Sequence, residues 1–157
     1  MIRPILIGQA PCAAHPNGPP FTGRTGARLR RLMGEDLFTR FDLATVFPSY
    51  LGRDASGDLF PMRQARARAS AMVGDMEFTS RPAVVLCGHR VAQAFGLGDA
   101  AFFRRIVVDL SRSGTFHAPL PVRYYVIPHP AGTSRWWNRS DNVEAARDFF
   151  ASLGRML

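Results

Sequence analysis

The stretch "ILIGQAPCAAHPNGPPFTGRTG", residues Ile5–Gly26, decides the fold, because it joins a strand to a long loop and a helix. The apolar run Ile5–Gly8 ends at a glycine and is typical of a strand that is covered on both faces. The loop that follows is rich in glycine and proline. The next segment, "ARLRRLMG", has apolar residues at helical spacing and ends at Gly34, which is a helix stop signal.

Three more apolar runs predict strands, and the segments between them predict helices. The further strands are 41–47 ("FDLATVF"), 83–88 ("AVVLCG") and 122–128 ("VRYYVIP"). The further helices are 62–78, 89–97 and Asp141–Met156, the last with Ser140 or Asp141 as N-cap. Strands that alternate with helices predict an α/β fold, a three-layer α/β/α sandwich with a four-stranded parallel sheet. At 157 residues we expect a single domain, 1–157.

Composition excludes several classes of protein. The chain is 46% hydrophobic and 20% charged, which is ordinary for a globular protein. Two cysteines, Cys12 and Cys87, are too few for a disulfide scaffold or a four-cysteine cluster, so we predict reduced thiols, no metal and no cofactor. The apolar run near the N-terminus is too short for a signal peptide or a membrane span. We therefore expect a cytoplasmic protein without membrane association, and a monomer.

The net charge is +8, and all twenty basic residues are arginine. A GC-rich genome would explain the absence of lysine, but it would not explain the sign of the charge. A basic domain attracts polyanions, among which nucleic acid is the commonest. The charge therefore makes DNA or RNA a candidate partner.

Two unusual loops follow predicted strands, and ligands bind beyond the carboxyl ends of the strands in such sheets. The first is the loop in residues 8–26, and the second is "HPAGTSRWWN" at 129–138. Phe21 lies among proline and glycine, so it is either a stacking platform for a base or a packing residue of the loop. Gly26 opens a helix whose N–H groups could bind phosphate. No Gly-Lys-Ser/Thr follows, so this is not a P-loop.

These segments resemble the motifs of a known family. "GQAP" with "GPPFTGRTG" (Gly18–Gly26) resembles the first motif of the uracil-DNA glycosylase superfamily, and "HPAG" (His129–Gly132) resembles its second. "VVLCGHRVAQAFGL" is similar to its third strand and following helix. The resemblance covers nearly the whole chain. It implies an α/β/α sandwich that flips a base out of DNA and hydrolyses the N-glycosidic bond.

The resemblance also implies roles for individual residues. His129 would stabilise the negative charge on the leaving base. Phe21 would stack on that base, and Thr45 lies where the family has an asparagine that reads the base edge. The remaining base-pocket residues would be Gly8, Gln9, Ala10 and Pro11. The residues that meet DNA would be Gly23, Arg24, Thr25, Gly26, Ser134, Arg135, Trp136, Trp137 and Asn138.

The acid that positions the attacking water in this family has no counterpart here. Family members carry it at the positions of Gln9, Ala10 or Arg24 in this chain. We therefore take His129, Gln9 and His15 as the catalytic candidates, with His15 as a possible substitute that positions water. For the tryptophans, the alternative to stacking on DNA is that one of them anchors the C-terminal helix in the core.

Two alternative functions stay open. A catalytically weak or inactive relative would only bind DNA or a nucleobase, which the missing acid favours. A mononucleotide-binding α/β module would use the glycine-rich loop for a phosphate, which the missing lysine disfavours. The interpretation that we carry forward is an enzyme, a DNA N-glycosylase that removes uracil or another deaminated base.

Overall fold

The computed structural model describes residues 1–109, 121–131 and 134–157. The strands are β1 (Ile5–Gly8), β2 (Asp42–Thr45), β3 (Arg53–Asp54), β4 (Gly57–Asp58), β5 (Val84–Cys87), β6 (Ile106–Val108) and β7 (Val122–Ile127). The helices are α1 (Gly23–Met33), α2 (Glu35–Phe38), α3 (Met62–Val73), α4 (Met76–Thr79), α5 (His89–Ala94), a 3₁₀ helix (Arg135–Asn138) and α6 (Ser140–Met156).

The central sheet has five strands in the order β2-β1-β5-β7-β6. The four strands predicted from apolar runs are parallel to one another: β1, β2, β5 and β7. The additional strand β6 is antiparallel to β7. The prediction of a four-stranded sheet was therefore wrong by one edge strand. β6 has only three residues, and Val107 at its centre is 52% exposed, so it lacks the buried apolar run of the other strands.

Successive side chains of the parallel strands point to opposite faces of the sheet, and each face has its own hydrophobic core. Leu6, Val85 and Ile127 point to the face covered by α1, α2 and α6. Ile7, Leu86 and Val126 point to the face covered by α3, α4 and α5. Helices on both faces of a mostly parallel sheet make the α/β/α sandwich that the sequence predicts.

Several boundaries differ from the sequence predictions. Helix α1 begins at Gly23 rather than at Gly26, and α6 has Arg139 as its N-cap residue rather than Ser140 or Asp141. The predicted helix 62–78 is interrupted at Gly74, which ends α3 before the short α4 begins. The segment after β2 contains a two-stranded hairpin, β3–β4, where only a turn-rich loop was predicted. Within the described ranges, no helix is long and apolar enough to cross a membrane.

Candidate active site

A cavity of about 150 Å³ opens at the carboxyl edge of the sheet, where β1, β2, β5 and β7 end. It lies around the switch point of the topology, since β2 pairs on one side of β1 and β5 on the other. Both loops singled out in the sequence contribute to it. Its lining consists of Gly8, Gln9, Ala10, Pro11, Cys12, Ala13, Phe21, Thr22, Thr25, Thr45, Tyr50, Asp58, Leu59, Cys87, His129, Pro130 and Ala131.

Phe21 covers the end of β1. A Cβ at Gly8 would lie 3.1 Å from the Cζ of Phe21, so a larger residue there would push the ring a few tenths of an ångström away from the strand. Phe21 itself has a φ of 56°, in the left-handed region that costs a non-glycine residue about 1–3 kcal/mol. The half-buried ring packs on the core beneath and lines the cavity above. Phe21 is therefore a packing residue that also lines the cavity, and its stacking on a base stays a prediction.

His129 presents one defined ring nitrogen to a ligand. Its Nδ1 accepts a hydrogen bond from the backbone N–H of Ala131 at 3.1 Å, so in the neutral ring the proton is on Nε2. Burial lowers the pKa of His129 below its ordinary value, and Arg90 acts in the same direction, while the Asp58 carboxylate opposes them. The ring is therefore neutral near pH 7. None of the described residues accepts from Nε2, which leaves this N–H as a donor for a ligand.

Two side chains hold the backbone around His129. The indole Nε1 of Trp137 donates to the carbonyl oxygen of His129 at 2.8 Å. The guanidinium of Arg28 donates to the carbonyl oxygens of Ala131 at 2.9 Å and Pro130 at 3.2 Å, and it lies 5.4 Å from the centroid of the Trp137 ring. Arg28 belongs to α1, which begins within the first motif, and Trp137 belongs to the 3₁₀ helix. Both therefore hold the second motif in a fixed position.

Thr45 stands at the end of β2, level with Gly8. Its hydroxyl donates to the carbonyl oxygen of Phe47 at 2.7 Å. With its proton engaged there, the oxygen offers lone pairs to the cavity and can accept from an N–H of a base edge. Thr45 therefore differs from an asparagine, whose amide can both donate and accept.

The predicted DNA-contacting residues separate into exposed and buried groups. Gly23, Arg24, Arg135 and Asn138 are exposed but are not among the residues that line the cavity, Ser134 is half-buried, and Thr25 lines the cavity itself. Gly26 is buried, and a Cβ there would lie 1.7 Å from the carbonyl oxygen of Phe21, so α1 packs closely on the loop at this residue. Contact of its backbone with DNA stays a prediction. Gly132 and Thr133 lie outside the described residues.

The structure also places His15 and the two tryptophans. His15 is exposed on the first loop and is not among the residues that line the cavity, so its role in positioning water stays a prediction. Trp137 is buried in the core as an anchor, which was the alternative interpretation, and its ring is not available for stacking on DNA. Trp136 is half-buried and packs edge-on against Trp137, with ring centroids 4.7 Å apart.

Sequence reasoning missed Tyr50 and Asp58, which the segment after β2 brings to the cavity. The Tyr50 hydroxyl donates to Oδ1 of Asp58 at 3.0 Å. Partial desolvation, together with this hydrogen bond, raises the pKa of Tyr50 above its ordinary value, so the phenol stays protonated and donates. A signal was present: a segment that leaves a parallel strand at its carboxyl end lies at the ligand-binding edge, and this one carries Asp54 and Asp58.

A family model described as the uracil DNA glycosylase superfamily matches residues 2–153 of the chain. The match spans almost all 157 residues, and the chain therefore belongs to the uracil DNA glycosylase superfamily. Comparison with individual curated proteins gave no match. Membership confirms the predicted α/β fold class and the resemblance on which it was based, and it makes a glycosylase-like role on DNA the coarse functional assignment.

Proposed function

We propose that the protein is a DNA base-excision glycosylase that takes uracil, or another deaminated base, into the cavity and hydrolyses its N-glycosidic bond. The observation that carries this proposal is the neutral His129, whose Nε2–H is a donor beside the cavity. When the glycosidic bond breaks, negative charge develops on the oxygens of the departing base. A fixed donor in a water-poor site stabilises that charge more than it stabilises the uncharged substrate.

The size of the cavity favours a single-ring base. A volume of about 150 Å³ is close to that of a cavity which holds one benzene molecule. Phe21 supplies an aromatic face to such a ring, and Thr45 supplies an acceptor for an edge N–H, which uracil has at N3. Hypoxanthine and xanthine have two fused rings and would need a larger space. Uracil is therefore the substrate that we put first.

The charge of the protein supports a polyanionic substrate. The net charge is +8, and Arg24 and Arg135, one in each of the two motif segments, are exposed. Each arginine that neutralises a phosphate releases counterions, so binding should weaken steeply as salt increases.

One observation favours a second candidate function, a relative that binds DNA without cleaving it. The acid positions of the first motif hold Gln9, Ala10 and Arg24, so no carboxylate there can position water. Catalysis without one group is slowed rather than abolished. The two candidates differ in base release and not in DNA binding.

The test is base release from labelled single- and double-stranded oligonucleotides that carry uracil, hypoxanthine or xanthine, read as alkali cleavage at the abasic site. We expect release of uracil ahead of both purines, and a loss of about 10²–10³-fold in His129→Ala because the oxyanion donor is gone. Glu144→Gln, an exposed change on α6, is the matched control. DNA binding without any release would favour the second candidate, and equal activity of His129→Ala would contradict the role of His129.

A further inference from the structure

We propose that Asp58, on the β3–β4 hairpin, is the catalytic residue that holds and deprotonates the attacking water, in place of the acid missing from the first motif. This inference rests on the proposed glycosylase function. Asp58 is the one acidic side chain among the described residues that line the cavity. The hairpin is separate from the central sheet, so this carboxylate reaches the site by a different part of the chain.

The hairpin is tied to the site at several points. The backbone N–H of Tyr50 donates to the carbonyl oxygen of Pro16 in the first loop at 2.8 Å, and Arg90 of α5 donates to the backbone oxygen of Asp58 at 2.7 Å. The N–H of Leu59 closes the base of the hairpin on the oxygen of Gly52 at 2.9 Å. These bonds fix the position of Asp58 relative to both the first loop and the start of α5.

The carboxylate is oriented but not neutralised. Tyr50 donates to Oδ1 at 3.0 Å, which leaves Oδ2 and the second lone pair of Oδ1 for a water. Within the described ranges, no guanidinium forms an ion pair with Asp58, since Arg90 binds its backbone oxygen instead. Asp58 is exposed on the hairpin, so water can reach this carboxylate.

The reaction balances with Asp58 as the base. The C1′–N bond breaks and its electron pair leaves with the base, whose anionic oxygen accepts from Nε2–H of His129. The water oxygen forms a bond to C1′, and one water proton passes to the Asp58 carboxylate. Asp58 then returns that proton to solvent, and the base anion takes a proton from solvent. The products are the abasic sugar and the free base.

The test compares Asp58→Asn with Asp54→Asn, a change of the same chemistry on the same hairpin. Asp54 accepts from Ser56 at the turn and does not line the cavity, and an asparagine can keep that bond. We expect single-turnover uracil release to fall by about 10²–10⁴-fold in Asp58→Asn, as for loss of a general base. Binding of the same oligonucleotide should stay within about twofold, and Asp58→Glu should recover part of the rate. Release by Asp58→Asn at the wild-type rate would overturn the inference.

Ala10→Asp, which restores a first-motif acid, separates this inference from the proposed function. Recovery of release in the double variant Ala10→Asp/Asp58→Asn would support the assignment, because a second carboxylate then does the same task. If the wild-type protein releases no base but Ala10→Asp does, Asp58 does not activate water and the inference fails while the base site stands. If neither protein releases a base, the proposed function itself fails, and the inference fails with it.

Discussion

The indole nitrogen of Trp137 and the carbonyl oxygen of His129 are joined by a 2.8 Å hydrogen bond, so a buried core residue fixes the backbone of a residue that lines the cavity. The side chain of His129 is held from the other direction by the N–H of Ala131. The ring is thus fixed at both its backbone and its Nδ1. This arrangement places the rigidity of the site in the core and not in the exposed part of the loop.

Trp137→Phe should lower both stability and activity. The phenylalanine keeps the aromatic packing but loses the donor, and an unsatisfied acceptor costs about 1–3 kcal/mol. We expect a decrease of that size in the free energy of unfolding, measured by urea titration, and slower base release. Trp136→Phe is the matched control, because the contacts that Trp136 makes with its side chain are ring contacts. Equal losses in the two variants would contradict the role of the hydrogen bond.

Arg28→Met should affect the rate of base release, whereas Arg24→Met should affect the salt dependence of DNA binding. Arg28 donates to backbone carbonyls of the second motif, so its loss should slow base release and leave the salt dependence of DNA binding unchanged. Arg24 is exposed at the start of α1, and its loss should reduce the slope of log affinity against log salt by about 1. Fluorescence anisotropy over a salt series measures both slopes. A reduced slope in Arg28→Met would place that arginine on phosphate instead.

Gly26→Ala should destabilise the fold strongly. The new Cβ would lie 1.7 Å from the carbonyl oxygen of Phe21, so α1 must move away from the loop that it packs against. Overpacking typically costs about 1–3 kcal/mol, and we expect a value at or above the upper end. Gly154→Ala in α6 meets only the flexible side chain of Leu37 at 3.3 Å and should change stability far less. A melting temperature of Gly26→Ala near that of the wild type would contradict this packing.

The stability of the protein should decline below about pH 6.5 through His129. The ordinary pKa of histidine is 6.5, and burial holds the pKa of His129 lower in the folded protein. As the pH falls, the unfolded chain therefore takes up this proton first, and protonation favours unfolding until the folded pKa is reached. Urea titrations at pH 7.5 and pH 5 should show a smaller pH effect in His129→Gln. A wild-type difference in His129→Gln would contradict the assignment.

The parts of the fold that could be predicted are those coded by continuous apolar runs. Strands β1, β5 and β7 are buried along nearly their whole length, so their sequences are distinctive. The edge strand β6 was missed because Val107 faces solvent and two arginines precede the strand. The hairpin strands β3 and β4 have two residues each, too few for a periodic pattern.

The same distinction applies to the site. His129 and Phe21 could be placed because each belongs to a compact motif in the sequence. Tyr50 and Asp58 reach the cavity through contacts between distant segments, such as the bond from Tyr50 to Pro16. The place of their segment after β2 indicates the edge of the sheet, but no local sequence pattern identifies these two residues. The sequence did not show which of Trp136 and Trp137 is buried. Both lie in one four-residue 3₁₀ helix, which is too short for a periodic pattern to distinguish them.

The aromatic pair behind His129 gives the protein an optical reporter of its own. The chain has two tryptophans, and both lie in the one short helix that supports the second motif. One indole is hydrogen-bonded to the backbone of His129 and lies beneath the guanidinium of Arg28, so a small displacement of that loop changes its electric environment. Tryptophan emission, excited selectively over that of the three tyrosines, therefore comes from a single locality and should report a change at the cavity without a label.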